Sequence, residues 1–323
     1  MLRTRVAVLR GGPSSEYDVS LITGSGVLSA LDTLGYFGRD ITISKKGEWL
    51  VGGVVRQPEV ALGDIDVVFI AMHGAYGEDG TIQKICERLH IPFTGSNSFP
   101  SSLAFNKDST KRVLQSTNLN LPKHVRITKE DSSYLSEIIT NIGRSMGTRF
   151  VIKPLTSGSS HGVVMVDSLS ELEQTLGNTL EQYDECMVEE RILGTEATCG
   201  VLEGFRNEPY YVLPPIEIIP PSTHGFFAED VKYTGETEEI CPGRFSFTVR
   251  EKITEAARLA HITLGLTQYS RSDFMVRGED VYFLEVNTLP GLTPESLFPK
   301  AAEAVGLSFP ELVRHLVLTA KVT

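Results

Sequence analysis

The chain has 323 residues, 41% apolar, 22% charged and 8% aromatic, a composition that excludes a disordered or fibrous protein and allows two or three compact units with clefts between them. Acidic residues outnumber basic ones by 41 to 30, a formal charge of -11, with no clustered Lys and Arg of the kind that binds nucleic acid or anionic membranes, so a small-molecule partner is expected. The longest uncharged apolar stretch, residues 67–72, is far short of the ~18 needed to span a bilayer, no signal-peptide core precedes Gly11, and Cys86, Cys186, Cys199 and Cys241 are too scattered for a disulfide or metal framework, so a soluble cytoplasmic protein is expected.

In chain order, an apolar run at residues 6–9 ends at Gly11-Gly12-Pro13-Ser14-Ser15, and apolar residues then recur at helical spacing over 19–34, with Ser14 and Ser15 as candidate caps. A second strand at 66–71 runs into His73-Gly74-Ala75-Tyr76-Gly77-Glu78-Asp79-Gly80, then a helix to Leu89 and a short strand before Gly95. Residues 1–105 thus read as an open α/β domain with ligands at its strand ends. From Lys107 the pattern is helix, strand 123–127, helix 130–144, strand 149–153, a Gly/Ser turn, strand 163–166 and helix to Gln182, a small α+β unit over 106–187. Residues 188–323 carry strands near 187–190, 196–202, 210–213, 273–276 and 281–286, and helices near 247–264 and 295–304, a second α+β unit. The stretch 214–243, rich in Pro, Gly, Thr and Glu, is too long for a plain connector and reads as a functional, mobile loop.

Neither the Walker pattern nor G-x-G-x-x-G occurs. What occurs is Lys153-Pro154-Leu155-Thr156-Ser157-Gly158-Ser159-Ser160-His161-Gly162, whose turn amides and lysine suit a polyphosphate, although a hairpin loop has the same pattern. Asp273 and Glu285-Val286-Asn287 would meet if their strands are antiparallel neighbours, giving oxygen ligands on one face that suit Mg²⁺, with Arg271 on the same side to meet developing negative charge; the alternative is a salt-bridged sheet edge. In Val188-Glu189-Glu190-Arg191-Ile192-Leu193-Gly194-Thr195-Glu196, backbone groups can meet an adenine edge and a carboxylate the ribose, or the segment is an acidic linker.

Together these motifs resemble the D-alanine:D-alanine ligase family, of the ATP-grasp fold. The resemblance rests on Gly11 to Glu16 with Val19-Ser20, His73-Gly74 with Gly77-Glu78-Asp79-Gly80 and Gln83, Lys107, Val151 to Pro154 with Gly158 to Gly162, Glu189 with Gly194 and Glu196, Lys232-Tyr233, Arg271 with Asp273, and Glu285 to Thr293, in the family's order over nearly the whole chain. It departs from the family's pattern at Tyr17-Asp18, and at Asn106 where an Asp commonly precedes the lysine.

The resemblance implies ATP-dependent joining of two D-alanines through an acyl phosphate, for peptidoglycan precursor synthesis, by a homodimer. Lys107 and Lys153 would hold the α and β phosphates and Lys232 the γ-phosphate; Glu189, Ile192 and Glu196 would take the adenosine. Asp273, Glu285 and Asn287 would hold two Mg²⁺ ions, or Mn²⁺, while Arg271 and the Gly291 amide would meet the oxyanion. Glu16 would meet the first ammonium, His73 the carboxylate side, and Ser296 and Leu297 the second carboxylate; Glu16, Ser159 and Tyr233 would form the triad pinning the loop. Two alternatives remain: a D-alanine:D-lactate or D-serine ligase, disfavoured by Tyr233 where D-lactate enzymes tend to carry His, and a nucleotide sensor, disfavoured by Arg271, Glu285 and Asn287.

Overall fold

Val6, Ala7, Val8 and Leu9 are fully buried in the strand Arg5–Gly11, as expected of a strand covered on both faces in the middle of a parallel sheet. It pairs in parallel with Phe37–Ile43 on one side and Val67–Ile70 on the other. The computed structural model describes residues 3–158, 161–220 and 237–321. The sheet continues antiparallel through Trp49–Val51 to Val54–Arg56, and the helix Tyr17–Thr33 follows the first strand. The caps expected for that helix are not used. Its N-cap is Glu16, and the Ser14 hydroxyl instead donates to the His73 carbonyl (2.8 Å) while accepting from the Glu16 N–H (3.2 Å). Ser14 therefore joins two strand-end loops, the place where an open α/β sheet binds ligands.

The second sheet is antiparallel, in the order His124–Thr128, Glu185–Glu190, Phe150–Pro154, Val164–Val166. Ile139 and Ile142 of the helix Leu135–Met146 and Leu172, Leu176 and Leu180 of Leu169–Gln182 share a core with Phe150, Ile152 and Val188. The expected boundary after residue 187 falls inside Glu185–Glu190, an inner strand of this sheet, so the unit runs to at least Glu190. A strand edge bonded on both sides cannot be a linker.

The third sheet runs Glu238–Ile240, Ile216–Ile219, Thr195–Glu203, Tyr269–Arg277, Asp280–Asn287, with Tyr210–Val212 also on Thr195–Glu203. The stretch expected as one long loop thus contributes two strands, Ile216–Ile219 inside the sheet and Glu238–Ile240 at its edge, and its residues 221–236 lie outside the described residues. Val249, Ile253, Ala257 and Ala260 of the helix Phe247–Thr263 meet Phe274 and Phe283 in one core, which also takes Ala104 and Leu114 from the helices Ser98–Phe105 and Lys107–Leu114. The last helices, Leu297–Ala304 and Phe309–Thr319, bury Phe298, Ala302, Leu312, Val313 and Leu316 in a core that includes the first sheet. That core also holds Leu202, Ile216, Ile218 and Tyr269 of the third sheet, and Phe298 packs edge-on against Tyr269, so the end of the chain joins the first and third units.

Candidate active site

The helix Lys107–Leu114 starts at Asn106, whose Oδ1 accepts from the Ser109 N–H (2.9 Å), so the departure from aspartate preserves the cap. Lys107 and Lys111, one turn apart, share a face of that helix. The Lys107 ammonium donates to the Ser157 carbonyl (2.6 Å) and lies 3.2 Å from Glu285 Oε2, at the turn after Phe150–Pro154. Lys111 is wholly buried and pairs with Glu189 Oε1, while Lys153 pairs with Oε2 of the same carboxylate. Burial lowers the pKa of Lys111. Burial would also raise that of Glu189, but attraction to Lys111 and Lys153 outweighs it and holds the carboxyl below its usual range. Removing one partner from such a buried group costs about 3–5 kcal/mol. The Glu189 side chain, expected on the adenosine, is thus occupied by two lysines.

Lys107, Lys153 and Glu189 line an open cleft of about 1140 Å³ between the second and third sheets. Val151, Met165, Ile192, Leu193, Met275 and Leu284 supply its apolar walls; Lys107, Lys153, Glu196, Arg271, Asp273 and Glu285 supply its charges.

On the third sheet Asp273 stands opposite Glu285 and Arg271 opposite Asn287. An irregularity follows Asp273, for its neighbour Phe274 already pairs with Phe283, leaving Leu284 as an extra residue. That bulge lets Phe283 stay in the core while Glu285 turns to the cleft. Asp273 accepts from Thr198 Oγ1 (2.6 Å), from Arg271 Nε and Nη2 (3.0 Å each) and from Asn287 Nδ2 (3.1 Å). Burial opposes the charge of Arg271, yet Asp273 beside it raises its pKa further. Among the described residues no three of His, Cys, Asp and Glu form a cluster able to hold a metal. Two carboxylates and an amide oxygen still fit Mg²⁺, which completes its shell with phosphate oxygens and water.

A second hollow, about 710 Å³, lies between the first sheet's strand ends and the third sheet; it is lined by Glu16, His73, Glu78, Arg271, Asn287, Gly291, Ser296 and Leu297 among others. A Cβ on Gly158 would lie 2.3 Å from Glu16 Oε1, and one on Gly74 3.0 Å, so both glycines are required for Glu16 to sit there. His73 is buried, which lowers its pKa and keeps it neutral; Nδ1 lies 3.1 Å from the Leu289 carbonyl, to which it must donate, and Nε2 2.9 Å from Thr23 Oγ1. With both ring nitrogens taken by the protein, His73 shapes the hollow and offers no donor to a carboxylate. Glu78 is pushed up to about 8 by burial and by Glu16, although the Gly74 N–H donates to it (2.9 Å). Ser296 Oγ accepts from the Thr293 N–H (3.0 Å) and precedes the helix Leu297–Ala304, whose N-terminus therefore faces the hollow. A Cβ on residue 291 would meet that hydroxyl at 2.7 Å, which explains Gly291.

The two hollows share Arg271, Glu285 and Leu297, so a group bound in one meets a group bound in the other at these side chains. Residues 113–318 match the family model described as D-ala D-ala ligase C-terminus, and residues 54–96 the model of the N-terminus. The chain belongs to the D-alanine–D-alanine ligase family. It is 39% identical over 320 residues to the D-alanine–D-alanine ligase of Desulforamulus reducens, covering 98% of each chain. Among solved structures it resembles the VanG D-Ala:D-Ser ligase of Enterococcus faecalis (TM-score 0.83, 29% identity, 98% and 99% covered) and the D-alanine–D-alanine ligase of Bacillus anthracis complexed with ATP (TM-score 0.80, 30% identity, 98% and 97% covered). The fold is that of the ligase family, and no helix among the described residues is long and apolar enough to cross a membrane.

Of the residues expected in the site, Ser159, Lys232 and Tyr233 lie outside the described residues. The others line one hollow or both. Lys111 and Thr198 escape sequence reading, and Glu78 stands there only within the His73 to Gly80 motif, with no role of its own. Lys111 has a usable signal, a second lysine one turn after Lys107 on a helix bordering the cleft.

Proposed function

We propose that this ligase joins two D-alanines to D-alanyl-D-alanine at the expense of ATP, supplying a peptidoglycan precursor in the cytoplasm. The sharing of Arg271, Glu285 and Leu297 between the cleft and the hollow carries the reading, because it is where a γ-phosphate and a substrate carboxylate would meet. The first D-alanine's carboxylate oxygen forms a bond to the γ-phosphorus as the bridging oxygen leaves with ADP. The second D-alanine's amine then attacks the acyl carbon, the C–O bond to phosphate breaks, and the nitrogen gives up its proton.

Lys107 and Lys153 hold the α and β phosphates, and Lys232 the γ. The apolar walls at Ile192 and Leu193 take adenine and Glu196 the ribose hydroxyls. Asp273, Glu285 and Asn287 hold two Mg²⁺ ions, for which Mn²⁺ can stand in, and the ions neutralise phosphate charge when bound. Arg271, anchored on Asp273, and the Gly291 amide stabilise the oxyanion. Glu16 receives the first ammonium. The N-terminus of Leu297–Ala304, with Ser296, receives the second carboxylate, since unpaired helix amides attract anions. Glu16, Ser159 and Tyr233 pin the loop over the site and exclude water from the acyl phosphate. A homodimer is in keeping with this reading.

The test is incubation with ATP, Mg²⁺ and equimolar D-alanine, D-lactate and D-serine at pH 7, with products identified by mass. D-alanyl-D-alanine should dominate. As much D-alanyl-D-lactate or D-alanyl-D-serine would overturn the assignment of the second substrate, and phosphate release indifferent to D-alanine would overturn the ligase reading.

A further inference from the structure

Behind the nucleotide cleft, three charged side chains from three separate elements converge: Lys111 from the helix Lys107–Leu114, Lys153 from the strand Phe150–Pro154 and Glu189 from Glu185–Glu190. Lys153 and Glu189 line the cleft, whereas Lys111 is wholly buried and does not. We propose that Lys111 is a positioning residue for the nucleotide, holding Glu189 from behind so that Lys153 can turn its ammonium to the phosphates. The proposal rests on the cleft being the ATP site.

The reason is charge balance in a buried place. Two ammoniums on one carboxylate leave an excess positive charge for an arriving polyphosphate. When Lys153 moves to a phosphate oxygen, Glu189 keeps one cation. Without Lys111, Lys153 would be the only cation paired with a carboxylate buried to 1% exposure, and each nucleotide would bind by stranding that charge. Lys111 touches neither phosphate nor adenine in this arrangement and acts through the two side chains that line the cleft.

The experiment measures binding of a non-hydrolysable ATP analogue with Mg²⁺ by calorimetry, beside the KM values for ATP and D-alanine. Lys111→Met should weaken analogue binding by at least about tenfold and raise the KM for ATP likewise, with the KM for D-alanine unchanged. In a Glu189→Gln background, where no carboxylate needs holding, the same change should alter binding by less than about twofold. The double variant removes the buried carboxylate together with Lys111 and leaves Lys153 at the cleft in the field of Glu285 and Glu196, so it serves where Lys111→Met alone does not fold.

A folded Lys111→Met protein that binds the analogue as the unaltered chain does overturns the proposal. So does a double variant about tenfold weaker than Glu189→Gln alone. Unaltered protein that binds no adenine nucleotide removes the cleft reading together with the proposal, whereas unaltered protein that binds it while Lys111→Met changes nothing removes the proposal alone.

Discussion

The cleft and the hollow share one floor, the strands Tyr269–Arg277 and Asp280–Asn287, and differ in the wall facing it. The cleft is closed by the second sheet with apolar side chains and Lys153, and by Lys107 from the helix beside it, which suits a flat base and a polyanion. The hollow is closed by the first sheet's strand ends and is rich in carboxyl groups, Glu16, Glu239, Glu285 and Glu295 with the protonated Glu78, against the guanidinium of Arg271. Lys300 partly neutralises its rim, 2.7 Å from Glu239 and 3.4 Å from Glu295. A small zwitterion can balance such a wall; a triphosphate cannot. One sheet thus serves two ligands of opposite demand because only its partner changes.

The largest expected effect falls on the shared floor. Glu285→Gln should lower kcat by roughly 10³-fold, as measured by phosphate release, with the melting temperature nearly unchanged, since Glu285 faces the cleft and not the core. Early melting with retained turnover would instead make Glu285 a structural group. A smaller and separable pair of effects follows from the two walls. Glu196→Ala should raise the KM for ATP by about tenfold and leave that for D-alanine alone, and Ser296→Ala should do the reverse. Steady-state kinetics that moved both constants in both variants would show the walls to be coupled.

The smallest effect is on stability. Glu78, raised to about 8 in the folded protein from an unfolded value near 4.5, binds its proton more tightly when folded, so its contribution is full below pH 4.5 and is lost as pH rises towards 8. His73 acts oppositely: its lowered pKa favours the neutral ring, and stability falls as pH drops below about 6.5. Glu78→Gln should therefore flatten the decline in melting temperature between pH 5 and 8, by a few degrees. An unchanged slope in thermal denaturation would mean that Glu78 is ionised throughout.

Much of the architecture is legible in the chain because it is written in local pattern. The buried run Val6 to Leu9, the helical spacing after it, and the strands bearing Lys153, Asp273 and Glu285 all appear where periodicity and glycine turns place them. Phe37–Ile43 was not legible, since only Ile41 and Ile43 of that strand are buried and its polar residues read as connector. The strands Ile216–Ile219 and Glu238–Ile240 are hidden by the turn-forming composition around them.

What the sequence determined by itself is the set of chemical groups and their order, because residue types such as a strand-end lysine or a Glu-x-Asn pair carry their chemistry wherever they fold. Which groups face one another was decided only by tertiary structure. The bulge after Asp273 sets Glu285 across from it, the last two helices share one core with the first and third sheets, and Lys111 meets Glu189 across 78 residues of chain. Burial, with the charge pairing it forces, depends on elements far apart in sequence, so no local pattern shows that His73 is spent on Thr23 and Leu289 or that Glu189 is held by two lysines.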